Sequence, residues 1–262
     1  MANNQVFRFL KKFASPHDVK MIMNNTGMNN YSIFRIWRTA WQLRRKVPIA
    51  KIIHRKWFYG LSFYTNRHTL DPRPDSETLV DAVLKNESGA KTILDLGTGT
   101  GCLLCAILKN LPNATGVGID KSRHACGIAR RNAKNLGLND RIKIIHLSFA
   151  KCRGSFMNDF DIVIANPPYI PNNDPRVDSG AKHDPKMALF GGADGLKYYR
   201  EIALLKTNAK LYIEIGIGQE NGVKKIFREY GWNLISRFKD LSGRIRVLSF
   251  ESSEFFVKKN RY

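Results

Sequence analysis

Acidic residues are scarce in this chain. Its 262 residues include 43 Lys and Arg against 22 Asp and Glu, a formal net charge of +21 at pH 7. The excess is concentrated at the start, where residues 1–60 hold twelve Lys and Arg and one acid, Asp18, a net charge of +11. Such a segment favours polyanionic partners, by long-range attraction and counterion release. RNA contact through this basic N-terminal part is therefore one prediction, and compositional drift towards Lys, Arg and Asn is the alternative.

Long apolar runs are missing too. No stretch reaches the roughly 18 apolar residues that favour a membrane-spanning helix, and the N-terminus lacks the compact apolar core of a secretory signal. The four cysteines form no disulfide framework. Cys102 and Cys105 lack a second pair or a His partner, so we interpret them as helix-packing residues and predict no metal site. We expect a cytoplasmic monomer without membrane contact.

The clearest pattern is a short apolar strand that stops at two prolines. Asp161-Ile162-Val163-Ile164 has the composition of a central parallel strand. Pro167 and Pro168 have no N–H to donate, and the residue before a proline is held extended. We predict that Asn166 and Pro167 offer carbonyl acceptors, and Tyr169 a flat face, at the sheet edge where ligands bind. Together they could hold a planar –C–NH2 group; a plain strand-to-loop turn is the alternative.

A glycine-rich loop between a strand and a helix is the second pattern. The strand Thr92–Leu96 is followed by Gly97-Thr98-Gly99-Thr100-Gly101. Glycines let the backbone approach a ligand closely, and a helix N-terminus favours negative charge. The spacing differs from both the dinucleotide fingerprint and the phosphate-binding P-loop. With Asp95 two positions before the first glycine, the loop favours binding of S-adenosylmethionine.

Two later strands end in residues that suit the rest of such a cofactor. Asp120 ends a strand about twenty residues past the glycines, where a carboxylate can accept both ribose hydroxyls; a structural helix cap is the alternative. Phe149 follows the strand Arg141–His146 at the place where an adenine ring would lie and could stack on it. Ser148 could bond the adenine amine.

Strands and helices alternate from residue 92 onward, which predicts an α/β fold with a doubly wound, mostly parallel sheet. We assign residues 73–262 to this main domain. A long loop at 170–197, rich in proline and glycine, follows the strand tip, and we expect it to act as a lid or a substrate groove.

Two smaller parts precede this domain. Residues 1–48 are predicted to form a small basic helical lobe, in which Trp37 and Trp41 share a face and pack on the next helix. Residues 49–72 are predicted to form a β-hairpin that turns at Gly60 and continues as a linker.

In these motifs the sequence resembles the release-factor glutamine N5-methyltransferases, the PrmC/HemK-like family, from about residue 48 to 250. The glycine loop and the Asn166–Tyr169 tip occur in many methyltransferases. The specific part is Pro72-Arg73-Pro74-Asp75-Ser76-Glu77 together with Ala188-Leu189-Phe190-Gly191-Gly192-Ala193-Asp194-Gly195. One departure is Leu147-Ser148, where the family usually has Gly-Asp before the adenine-stacking aromatic residue.

The resemblance implies a seven-stranded methyltransferase sheet and a reaction. A methyl group would pass from S-adenosylmethionine to the side-chain amide nitrogen (N5) of the glutamine in the Gly-Gly-Gln motif of class I peptide chain release factors. Residues from Gly97 to Gly101, with Asp120, Phe149 and Asn166, would contact the cofactor. The glutamine would be held by Asn166, Pro167, Pro168 and Tyr169, of which Asn166, Pro167 and Tyr169 would be catalytic.

Two other functions stay open at this point. A nucleic-acid exocyclic-amine methyltransferase, acting on adenine N6 of DNA or guanine N2 of rRNA, could use the same tip for a flipped-out base and the basic lobe as a backbone grip. The loop at 184–195 does not favour this function. A non-catalytic RNA- or ribosome-associated protein is the third hypothesis, and the intact Asn166–Tyr169 tip argues against it.

Overall fold

The computed structural model describes residues 2–26, 33–152, 159–175, 181–205 and 207–253. Its N-terminal part is a lobe of four helices: α1 (Ala2–Leu10), α2 (Pro16–Thr26), α3 (Ile33–Arg44) and α4 (Ile49–Ile53). One apolar cluster joins the four helices and includes Leu10, Val19, Ile22, Ala40, Leu43 and Ile52. Residues 49–53, which the sequence assigns to the linker, thus pack with the lobe.

The outer face of α3 carries exposed aromatic side chains. Trp37 is 62% exposed and Trp41 is 56% exposed, so the prediction that they pack on the next helix is wrong for most of their surface. Trp37 does touch Phe9 of α1, with ring centroids 5.3 Å apart. The guanidinium group of Arg45 lies 4.6 Å from the centre of the Trp41 ring. The described part of the lobe therefore presents aromatic and basic groups side by side.

A two-stranded hairpin links the lobe to the main domain. Strands β1 (Lys56–Phe58) and β2 (Leu61–Phe63) pair antiparallel and turn at Tyr59 and Gly60, both with positive φ, of 49° and 70°. The turn at Gly60 is confirmed. Two hydrogen bonds hold Tyr59 in this conformation: its N–H donates to Glu77 Oε1 at 2.7 Å, and its hydroxyl donates to Asp81 Oδ1 at 2.7 Å. Both acids belong to α5 (Glu77–Asn86), so the hairpin is docked on that helix.

The main domain is built on a seven-stranded sheet with the order β5-β4-β3-β6-β7-β9-β8. The strands are β3 (Thr92–Leu96), β4 (Thr115–Asp120), β5 (Ile142–His146), β6 (Ile162–Ala165), β7 (Lys210–Glu214), β8 (Trp232–Lys239) and β9 (Ile245–Ser252). Strands β3 to β7 pair parallel, while β9 runs antiparallel to both β7 and β8. The predicted doubly wound, mostly parallel fold is confirmed.

Helices cover both faces of this sheet. They are α6 (Cys102–Asn110), α7 (Arg123–Asn135), α8 (Lys186–Leu189), α9 (Lys197–Ala203) and α10 (Glu220–Glu229), in addition to α5. One core cluster contains Tyr199 of α9 and Phe227 of α10 with residues of the sheet, and the other contains Leu79 of α5 and Leu104 of α6. None of the described helices is both long and apolar enough to cross a membrane.

The strand order places a switch point between β3 and β6. The chain runs outward from β3 through β4 to β5, then returns to β6 on the other side of β3. Leu96 and Ala165, the last residues of β3 and β6, are register partners. A crevice opens at such a point beyond the carboxyl ends of the strands. The two motifs that the sequence singles out, after Leu96 and after Ala165, therefore lie side by side.

Candidate active site

The strand tip is fixed by a residue ninety positions earlier in the chain. Beyond Ala165, residues 166–169 leave the sheet as predicted. Nδ2 of Asn166 donates a hydrogen bond of 2.9 Å to Oγ of Ser76, and Ser76 is only 2% exposed. The side chain of Ser76 makes no capping hydrogen bond at the start of α5, so its role is not the cap that such a position usually supplies. With Nδ2 engaged, the amide oxygen of Asn166 is the atom left to accept a bond from a substrate.

Backbone contacts hold the far side of the tip. A Cβ atom on Gly191 would lie 2.5 Å from the carbonyl oxygen of Pro168, and one on Gly195 would collide with the carbonyl oxygen of Tyr169. Gln219 donates from Nε2 to that same Tyr169 carbonyl at 2.9 Å. Glycine is therefore required at positions 191 and 195 of the long loop, because the loop backbone packs directly on the strand tip there.

A first cavity lies between the tip and the glycine loop. Its walls come from the loop (Gly97, Gly99), the end of β4 (Asp120), Phe149, and the tip itself from Asn166 to Pro168. Leu70 of the linker, and Pro185, Met187 and Ala188 of the long loop, close it. Phe149 packs edge-on against Tyr198, with ring centroids 5.6 Å apart. The cavity thus offers apolar and aromatic surface for a planar ring.

The polar end of this cavity is built around Asp120. Its Oδ2 accepts from the N–H of Gly99 at 3.0 Å, and its Oδ1 accepts from the N–H of Ser122 at 2.8 Å. Burial raises the pKa of Asp120, although these two N–H groups oppose the shift. Each carboxylate oxygen has a second lone pair, so each can still accept a hydrogen bond from a hydroxyl group. A ligand with a sugar diol and a planar ring fits these residues.

Three predicted cofactor residues, Thr98, Thr100 and Gly101, are not among the residues that line the cavity. Thr98 is buried and donates from Oγ1 to Asp95 Oδ2 at 2.6 Å. Burial raises the pKa of Asp95 to about 7. The carbonyl of Thr100 accepts from Nδ2 of Asn132 at 2.9 Å. A Cβ atom on Gly101 would lie 3.4 Å from the Cβ of Ala129 in α7. These residues shape the loop, while Gly97 and Gly99 line the cavity.

A second cavity lies on the other side of the tip. It is lined by Asn166, Pro167, Pro168 and Tyr169, and by Arg73, Asp75, Leu189 and Arg246. The two cavities share the wall from Asn166 to Pro168, with Leu70 and Ala188 beside it. A group bound in the second cavity would therefore reach the first cavity across the amide of Asn166.

Charged residues support Tyr169 at the base of the second cavity. Arg246 of β9 is 4% exposed and donates from Nη2 to the Tyr169 hydroxyl at 3.3 Å. The same nitrogen lies 3.0 Å from Oδ2 of Asp75 and 3.5 Å from Oε1 of Glu214. Burial raises the pKa of Tyr169 to about 12, so its phenol stays protonated at neutral pH.

Sequence reasoning missed Ser76 and Arg246. The Pro72–Glu77 stretch was singled out by the resemblance, but its contact with the tip was not predicted. Arg246 stands between apolar neighbours in a strand whose residues Arg246–Phe250 are all buried. A lone charge in such a run is the signal that could have marked it, because buried charges are paired or functional.

Comparison with solved structures defines the class of protein. The catalytic domain of hMettl16, in complex with MAT2A 3′UTR hairpin 6, aligns with a TM-score of 0.57 and 18% sequence identity, covering 74% of this chain and 76% of that one. At this identity the similarity shows the fold alone. The family model for a methyltransferase small domain matches residues 68–181. The fold and the matched domain are those of a methyltransferase.

Closer relatives narrow the class to one family. The release factor glutamine methyltransferase of Caulobacter vibrioides is 41% identical over 216 residues, which cover 78% of this chain and 73% of that protein. The protein of the same name from Agrobacterium fabrum is 40% identical over 220 residues, covering 78% and 74%. The chain belongs to the release factor glutamine methyltransferase family.

Proposed function

We propose that this protein transfers a methyl group from S-adenosylmethionine to the side-chain amide nitrogen of a glutamine, the one in the Gly-Gly-Gln motif of class I peptide chain release factors. One observation carries the proposal: two cavities share a wall at Asn166, Pro167 and Pro168. The first suits the cofactor and the second suits a small planar amide. The relatives' names add the substrate, and we place the reaction in the cytoplasm, where release factors act.

The cofactor would be held by residues around the first cavity. Asp120 would accept the ribose hydroxyls, Phe149 would stack on the adenine, and Gly97 and Gly99 would let the backbone pass close to the amino-acid part. When bound, S-adenosylmethionine supplies a methyl group that its sulfonium has already activated. The protein therefore has to position the acceptor rather than activate the donor.

The substrate amide would be oriented by acceptors on the tip. An amide nitrogen is a weak nucleophile because its lone pair is delocalised, so alignment is the main problem. The amide oxygen of Asn166 and the carbonyl oxygen of Pro167 would accept hydrogen bonds from the two N–H groups of the substrate amide. These hydrogen bonds would strengthen as positive charge develops on the nitrogen. Tyr169 would fix the plane of the amide from the side. Correct placement of reactants can lower a barrier by roughly 7–11 kcal/mol.

A radiolabelled methyl-transfer assay tests the proposal. The protein and labelled S-adenosylmethionine are offered an unmethylated class I release factor, the Gly-Gly-Gln→Gly-Gly-Ala variant of that factor, and bulk RNA or DNA, each separately. We expect label on the release factor and none on its variant. Label on the variant, or no label on the release factor, would contradict the proposal.

A nucleic-acid amine methyltransferase is the second candidate, and the exposed face of α3 favours it. Phe34, Trp37 and Trp41 are 75%, 62% and 56% exposed, with Arg45 against Trp41. Exposed aromatic rings beside arginines can stack on unpaired bases. Label on RNA or DNA alone would establish this function. RNA contact through the lobe and a monomeric state both stay predictions.

A further inference from the structure

Lys51 of α4 is a buried lysine outside the residues that line the two cavities. It is only 5% exposed. Lysine is almost never fully buried unless its charge is paired, because an ammonium group loses its hydration in the interior. The side chain must therefore be held by specific partners, and those partners show what the residue does.

Two carboxylates and two carbonyl groups surround the ammonium of Lys51. Nζ lies 2.8 Å from Oδ1 of Asp71 and 2.9 Å from Oδ1 of Asp184. It donates to the carbonyls of Asn66 at 2.8 Å and Thr69 at 2.5 Å. Both carboxylates are buried. One ammonium group thus joins the N-terminal lobe, the linker and the long loop after the tip.

Asp184, one of these partners, adjoins residues that line both cavities. Asp184 immediately precedes Pro185, and Pro185, Met187 and Ala188 line the first cavity. Ala188 also lines the second cavity, together with Leu189. Asp184 is held on its other side by Arg73, whose Nη2 donates to Oδ2 at 2.8 Å.

The linker wall is fixed by the same ammonium group. Thr69 lines the first cavity beside His68 and Leu70, and its carbonyl accepts from Lys51. Asp71 also accepts from Oγ1 of Thr65 at 2.6 Å, so the linker folds around the lysine. Two walls of the first cavity therefore depend on one side chain of the lobe.

We propose that Lys51 is a positioning residue, which seats the segment from Asp184 to Leu189 against the linker and so closes the cofactor cavity and one side of the substrate cavity. The lobe thereby completes the site as well as extending the surface of the protein. Without the ammonium, the buried carboxylate of Asp184 would keep only the half-exposed guanidinium of Arg73, at Oδ2, and Oδ1 would lose its charged partner. We therefore expect the segment to move away from the linker so that Oδ1 reaches water. The part of this proposal that concerns the substrate cavity rests on the proposed function.

The full-length chain with Lys51→Met tests the proposal, because methionine retains most of the length of the side chain and loses its charge. The matched control is Lys20→Met, which removes an exposed lysine from α2 of the same lobe. Calorimetry gives the Kd for S-adenosylmethionine, and steady-state assays give KM and kcat with release factor. Circular dichroism and thermal melting report folding.

We expect Lys51→Met to raise the Kd for S-adenosylmethionine by about tenfold or more, and KM for the release factor as well. The change in kcat at saturation should be less than about threefold, because a lost wall weakens binding more than the chemical step. Lys51→Arg keeps the charge and should recover part of the affinity. Lys20→Met should match the wild-type protein in all three constants.

Several results would overturn the proposal. A Lys51→Met protein with a lower Tm but an unchanged Kd and KM would show that Lys51 only stabilises the lobe. If the Lys51→Met protein does not fold, the Asp184→Asn variant replaces it in the test. The Kd of that variant for S-adenosylmethionine should rise by about fivefold or more, and an unchanged Kd would overturn the proposal. Cofactor binding needs no release factor, so this readout stands apart from the test of the proposed function.

Discussion

Ser76 Oγ accepts a 2.9 Å hydrogen bond from Nδ2 of Asn166. This contact sets which way the amide of Asn166 points, because an amide can present either its oxygen or its nitrogen to a ligand. A serine at the start of α5 thus sets the amide oxygen of Asn166 as the acceptor that the proposed reaction would use. The start of α5 is therefore part of the site.

Replacing Ser76 with Ala should slow turnover without loss of cofactor binding. The hydrogen bond that orients Asn166 contributes about 0.5–1.5 kcal/mol, so we expect kcat to fall by about two- to twelvefold. Steady-state kinetics and calorimetric Kd values check this, with Ser62→Ala of the hairpin as control. A Ser76→Ala enzyme with the wild-type kcat would show that Asn166 keeps its orientation unaided.

Replacing Asn166 with Ala should affect turnover far more than cofactor affinity. The variant loses an acceptor placed where charge develops, and such groups contribute about 10²–10³-fold to kcat. The Kd for S-adenosylmethionine should change by less than about threefold. Single-turnover methyl transfer and calorimetry make the comparison, with the exposed Asn172→Ala as control. Near-normal turnover would remove Asn166 from the mechanism.

Substituting Gly195 should displace the strand tip. An alanine Cβ there would collide with the carbonyl of Tyr169, and the φ of +74° is itself unfavourable for alanine. We expect a loss of about 1–3 kcal/mol in the free energy of unfolding and a fall in kcat of about tenfold or more. Urea unfolding and kinetics measure the two effects.

Gly127→Ala is the control for that substitution. Gly127 lies inside α7 and has no atom within 4 Å of the added Cβ, so alanine should stabilise the protein by about 0.5–1 kcal/mol. The same change of residue should therefore act in opposite directions at the two glycines. Equal effects at both would contradict the contact with Tyr169.

Stability should fall as the pH rises from about 5 to 8, in part through Glu214. Burial raises the pKa of Glu214 from its ordinary value of 4.5 to about 7, against the opposing effects of the Ser76 hydroxyl and the Arg246 guanidinium. An acid whose pKa is higher in the folded chain holds its proton more tightly there. The contribution of Glu214 to the free energy of unfolding is complete below about pH 4.5 and is lost as the pH rises through about 7. It amounts to about 1.4 kcal/mol for each unit by which the pKa differs between the folded and the unfolded chain.

Glu214→Gln should flatten this dependence, since glutamine does not titrate. Urea unfolding of both proteins at several pH values between about 5 and 8 measures the two slopes. Asp95, whose pKa is also raised to about 7, should retain its own share of the slope in the variant. Identical slopes would show that Glu214 is ionised throughout.

Local patterns were enough to predict the elements that form the site. The apolar run Ile162–Ala165 ends at two prolines, and all four of its residues are buried in β6. The glycine loop likewise follows β3 and opens α6. In each case the pattern reflects physical chemistry within a few residues, namely burial, missing donors and backbone freedom.

The parts that could not be predicted depend on distant contacts. Thr98 and Thr100 are predicted to bind the cofactor with their glycine neighbours; in the structure both are buried and neither lines the first cavity, which the loop pattern alone does not indicate. Trp37 and Trp41 have the helical spacing of core residues, yet the surface they cover is decided by the packing of α1 and α3. In the sequence, Lys51 is not distinguished from the other basic residues of the lobe. Its role depends on the fold, which places Asp184 of the long loop beside it.

The position of β9 has a consequence for the order in which the protein matures. β9 follows β8 in the chain but lies between β7 and β8 in the sheet, so β8 has no partner in the sheet until residues 245–252 have left the ribosome. Arg246, which supports Tyr169, arrives with that strand. The glycine loop and the strand tip are thus synthesised well before the second cavity can be completed, because that cavity needs Arg246 from a later strand.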